Sequence, residues 1–111
     1  MITIEESYDL FTETLARLDN EKLKLSDKEL EHEIFEELDA DAHTFLHERT
    51  LDRLIKENKI PKDIKEWTLK LRLRIAELIT ETKSISDYRS LGTWDEVRAE
   101  ANRIMNELKK R

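Results

Sequence analysis

Three histidines stand at positions 32, 43 and 47, and Glu36 and Asp39 join them in a series with steps of four, three, four and four. On an unbroken helix those steps bring all five side chains to one face. Imidazole with carboxylate is ligand chemistry for zinc, iron or manganese. A single helix, however, gives two or three donors to a tetrahedral ion, and a complete site needs another from a facing element. No second histidine-bearing segment exists to supply it. Absence of cysteine excludes disulfides, thiol catalysis and thiolate-held zinc or iron–sulfur sites. The expectation is no metal and no cofactor, with the Asp39, His43 and His47 column standing as the alternative: a helical metal-binding protein.

Catalytic patterns are missing. With one glycine in the chain there is no phosphate-cradling loop, and neither a Gly-x-Ser-x-Gly elbow nor a His-Glu-x-x-His pair occurs. Glu33 and Glu36 form a carboxylate pair suited to magnesium, but the nearest second pair, Glu77 and Glu81, has a different spacing. The chain reads as a non-enzyme. Its first residues, "MITIEESYDLF", lack a basic region and an apolar run, and no segment approaches bilayer length. "KEWTLKLRLRIAEL" interleaves basic residues with two apolar stripes, as a bundle helix does and a membrane-surface helix does not. A soluble, cytoplasmic protein is expected.

What remains is charge. From Glu29 to Asp41 seven carboxylates (Glu29, Glu31, Glu33, Glu36, Glu37, Asp39 and Asp41) occur without a lysine or arginine among them. Like charges four apart, such as Glu29 with Glu33, each cost a helix a few tenths of a kcal/mol. The net charge of −6 divides unevenly. Residues 1–48 hold fifteen acidic against four basic residues, giving −11, and residues 49–111 hold eleven against sixteen, giving +5. A net acidic chain disfavours direct contact with nucleic acid. A row of carboxylates instead imitates phosphates and speeds association with a basic protein.

The elements that must present this row are helices. One glycine and one proline in 111 residues cannot make the reversals a β-protein needs. Capping patterns, a hydroxyl residue followed three positions later by Glu, occur at Thr3, Ser26 and Thr93. The first predicted helix runs from Ile4 to Leu18 on a stripe of Ile4, Tyr8, Phe11, Leu15 and Leu18. The second begins after Ser26, buries Leu30, Ile34, Leu38, Ala42 and Phe45, and breaks near "DAD" or near "HERT". Thr50 is expected to cap a short third helix ending by Asn58. Pro61 suits the first position of the next helix, which carries two apolar stripes: Ile64, Trp67, Leu71, Ile75 and Leu78, then Leu69, Leu73 and Ala76. Such a helix is expected to be central, touched on two sides. "SISDYRSLG" is read as a flexible linker. The last helix buries Trp94, Val97, Ala101, Ile104 and Leu108 and ends in three basic residues, Lys109, Lys110 and Arg111, that complement its dipole. The expected fold is all-α: a single domain, residues 1–111, forming a compact bundle of four to five antiparallel helices. Trp67 and Trp94 are expected core anchors.

With its "DADA" segment and its terminal "TWDEVRAEANRIMNELKK" helix, this small, acidic, cysteine-free chain resembles the α-helical immunity proteins of bacteriocin and contact-dependent growth inhibition toxin systems. The resemblance implies a tight one-to-one complex with a cognate toxin, often a basic nuclease. The expected partner-binding residues are Glu29, Glu33, Glu36, Glu37, Asp39 and Asp41, with Tyr88 as an aromatic anchor from the linker. A third reading is a helical adaptor or self-associating domain, whose sign is an exposed apolar patch. Oligomeric state is left undecided by the sequence.

Overall fold

In the computed structural model, residues 2–110 are described; Arg111, the last of the three terminal basic residues, lies outside them. Among the described residues every regular element is helical. Helix α1 spans Ile4–Ala16, and a 3-10 turn spans Asn20–Lys24. Helix α2 (Asp27–Glu31), a π-helical stretch (His32–Leu38) and α3 (Asp39–Phe45) run on as one rod. Then come α4 (Glu48–Lys56), α5 (Lys62–Glu81), α6 (Ile85–Ser90) and α7 (Gly92–Lys109). Helices α1, α3, α5 and α7 pack in a ring, each against the next; α4 rests on α1, α3 and α5, and α6 rests on α2.

Thr3 and Ser26 cap as expected. The Thr3 hydroxyl accepts from the Glu6 N–H at 3.1 Å, and the Ser26 hydroxyl accepts from the Glu29 N–H at 3.2 Å. Thr93 does not cap. Helix α7 begins at Gly92, with only Leu91 between it and the end of α6, and Trp94 in its first turn is fully buried against Tyr88 at 4.8 Å between ring centroids. Its indole N–H donates at 2.8 Å to the hydroxyl of Thr82, which itself donates to the Leu78 carbonyl at the end of α5. Nor does Thr50 cap α4. His47 takes that place, Nδ1 accepting from the Arg49 N–H at 3.1 Å, while Thr50 ties back to the Thr44 carbonyl.

Helix α4 closes with Asn58 in the left-handed region at φ 59°. The Lys59 N–H reaches the Leu54 carbonyl at 2.8 Å and the Asn58 N–H reaches that of Ile55 at 2.9 Å. Those two bonds make a Schellman motif with Asn where Gly is usual. Lys65 of α5 then meets Asp52 of α4 at 2.6 Å, a contact that raises the lysine pKa.

The rod is the least regular element, and its side-chain spacing accounts for that. Leu30, Ile34, Leu38, Ala42 and Leu46 are all buried, each four residues from the next. At about 100° per residue every such step overshoots a full turn by about 40°, so in a plain α-helix the column would wrap about 160° around the rod. Wider i→i+5 turns through residues 32–38 take the overshoot back. Winding adapts to the core. The rod ends at Phe45 and breaks at Leu46, and the buried residue there is Leu46, with Phe45 half-exposed.

Two further expectations are corrected. The second stripe of α5 is not covered: Leu69 is half-buried and Leu73 and Ala76 are exposed, because α3, α4 and α7 all meet α5 elsewhere on its circumference. The linker is a helix. Arg89 fastens α6 by donating to the carbonyls of Leu23 (2.7 Å) and Leu25 (2.8 Å) and to the Asp27 carboxylate (2.9 Å).

Candidate functional site

The acidic rod separates into two rows. Glu33, Glu37 and Asp41 face α1, whose C-cap residue is Arg17. Its Nη1 donates to Glu33 at 2.6 Å and its Nε to Asp41 at 3.0 Å, while Nη2 lies 3.7 Å from Glu37 and 3.4 Å from Glu13. The side chain of Arg17 is only 13% exposed, those of Glu33 and Asp41 22% and 19%. Burial opposes the guanidinium charge, but the bonds from Glu33 and Asp41 outweigh it and hold the Arg17 pKa above its ordinary value. Glu33 and Asp41, expected to meet a partner, are thus largely committed within the chain.

The outer row stays in solvent. The side chains of Glu36 and Asp39 are 68% and 45% exposed, and Glu29 and Glu31 are exposed beside them. None of these four has a lysine or arginine partner among the described residues. Glu29 instead accepts from the Ser26 hydroxyl at 2.9 Å. Several cations of the second half of the chain are paired elsewhere: Lys70 with Glu66, Arg74 with Glu77, Arg103 with Glu100. Arg72, the cation that leans towards this face, donates to the Ala42 carbonyl at 3.2 Å. Among the described residues Arg17 is the one lysine or arginine within ion-pair distance of the seven carboxylates from Glu29 to Asp41, while Lys22 and Lys28 line the same surface beside Glu29, Glu31, Glu33 and Glu36 without reaching them.

The five-residue column does not survive as a ligand set. Wide turns let His32 touch both Glu36, four residues on, and Glu37, five on, the latter at 3.2 Å from Nε2. His43 pairs with Asp39 at 3.6 Å, and His47 is turned to the backbone of α4. Among the described residues no three of these groups gather as an ion would need.

The expectation for Tyr88 is corrected outright: it is fully buried on the inner side of α6, so it offers nothing to a partner. Its hydroxyl has no hydrogen-bond partner among the described residues, and burial raises its pKa above the ordinary tyrosine value, with the nearby Arg98 guanidinium, 4.9 Å over the ring, pulling the other way. What the sequence reading missed is Arg17. Its bonds span sixteen and twenty-four residues, but a signal was present: it is the one arginine in residues 1–48, and planar guanidinium suits several carboxylates where lysine does not.

The fold and site define an all-helical domain with one anionic face and no helix long and apolar enough to cross a membrane among the described residues. Comparison of the chain with known protein families, curated proteins and solved structures found no match.

Proposed function

We propose that the chain is a non-enzymatic inhibitor of a basic protein, acting as an immunity protein does on a nuclease toxin, through the outer carboxylates of the rod. The observation that carries this is the residual charge: Arg17 takes one row, yet Glu29, Glu31, Glu36 and Asp39 stay in water with no lysine or arginine within ion-pair distance among the described residues. An anionic face at that density steers a cationic partner to it and discriminates against acidic ones. Arg17 has a second effect here. By fixing Glu33 and Asp41 it stiffens the rod under the free carboxylates, so that less ordering is required on binding.

The test uses the protein encoded by the adjacent open reading frame, purified and titrated against the chain. A one-to-one complex is expected, with an association rate that falls as salt rises. Glu36→Lys should weaken it by about 2–5 kcal/mol if that carboxylate is desolvated against a cation. Charge reversals at 36 and 39 that leave affinity and rate untouched would remove the proposal.

A further inference from the structure

On another part of the molecule, sharing no residue with the anionic rod, an open groove of about 420 Å³ runs between α5 and α7. The two helices are antiparallel, since Trp94 reaches Thr82 at one end and the Arg103 guanidinium lies 3.9 Å over the Trp67 ring at the other. One wall, from α5, carries Lys70 and Arg74; the opposite wall, from α7, carries Glu96 and Glu100, with Arg103 beside Glu100 at its far end. We propose that this groove joins two copies of the chain across a two-fold axis running along it.

Half a turn about that line exchanges the walls while keeping each residue at its own level. The cationic wall of one copy then faces the anionic wall of the other, twice over, and α5 of each meets α7 of the other antiparallel. The end that holds Trp67 and Arg103 stays at the same end, so the ring of one copy stands opposite the guanidinium of the other. This surface is complementary to itself, which is the requirement for an isologous dimer. A partner of uniform charge would be attracted by one wall and repelled by its neighbour. Locally the groove sets Lys70, Arg74 and Arg103 against two carboxylates, close to neutral, whereas the chain carries −6. It is therefore a face on which two like-charged molecules approach with little repulsion. The in-chain pairs Lys70–Glu66 and Arg74–Glu77 are solvent-exposed and contribute little, so exchanging them across the axis costs little. Tryptophan and arginine, the two residue types at one end, are those that dominate interface energetics.

Sedimentation equilibrium of the whole chain, from low micromolar to near-millimolar concentration, tests the proposal. A reversible monomer–dimer equilibrium is expected. Arg74→Glu and Glu96→Lys should each weaken it about tenfold or more, since each change is felt twice in a symmetric pair, and the double variant should return to within about threefold of wild type. The two indole N–H signals supply a local readout: that of Trp67 should shift with dilution while that of buried Trp94 does not. Where circular dichroism shows a single variant unfolded, Lys70→Glu with Glu100→Lys makes the same comparison. A chain monomeric throughout the range overturns the proposal. So does a dimer indifferent to both reversals, or one that the double change fails to restore.

Discussion

Replacing Arg17 by Met keeps the apolar stem of the side chain and removes the charge that joins α1 to the rod. Two charge-assisted hydrogen bonds at 2.6 and 3.0 Å are lost, each worth about 1.5–3 kcal/mol when shielded from water. Glu33, Glu37 and Asp41 are then left facing one another without a counter-charge. Deleting one partner of a fully buried pair costs about 3–5 kcal/mol; here a fifth of each principal carboxylate remains in water, so about 2–3 kcal/mol is expected. Urea unfolding followed by far-ultraviolet circular dichroism measures it, as a lower midpoint with the slope unchanged. Added salt should narrow the gap by screening the orphaned carboxylates. Arg17→Lys should recover less than half of the loss, because one ammonium cannot hold Glu33 and Asp41 in the same geometry. A loss below about 0.5 kcal/mol would place Arg17 among ordinary surface ion pairs and refute the reasoning. The same variant separates stability from binding: the face gains one net negative charge, so association with a basic partner should not slow even as the fold weakens.

Thr82→Val should cost about 1–3 kcal/mol in thermal or urea unfolding, because the Trp94 N–H loses its acceptor inside the core. Tyr88→Phe should be neutral or stabilising at neutral pH, for the hydroxyl it removes has no partner among the described residues. The same change should flatten the alkaline limb of the stability curve. Tyr88 ionises first in the unfolded chain, so its contribution is whole below pH 10.0 and is lost as pH rises through the higher folded value, an effect that unfolding measured at successive pH values would detect. Asn58→Ala should cost about 1 kcal/mol and Asn58→Gly much less, since the left-handed turn there penalises a Cβ.

Much of the architecture was legible because it is periodic. The stripe Trp94, Val97, Ala101, Ile104 and Leu108 is buried residue for residue, and Thr3 and Ser26 mark true helix starts. What escaped depends on partners distant in sequence. Leu73 sits in phase for burial, but no helix crosses over it, and periodicity cannot count neighbours. "SISDYRSLG" looks like a linker until Arg89 is seen holding the carbonyls of Leu23 and Leu25. The carboxylate cluster was plain from composition; its division into a bound row and a free row was not, because Arg17 lies on another helix. His32 and His47 were aligned by assuming regular winding, and the spacing of Leu30, Ile34, Leu38, Ala42 and Leu46 already argued against it.

That same spacing gives the rod a spare residue. Were one position between His32 and Leu38 deleted, ordinary winding over the fifteen remaining steps from Leu30 to Leu46 would bring the two leucines to within about 60° of each other. Both ends of the rod would keep their seats in the bundle. The carboxylates between them share their backbone with buried Ile34, Leu38 and Ala42, so the length of this segment sets the charged rows and the core column together.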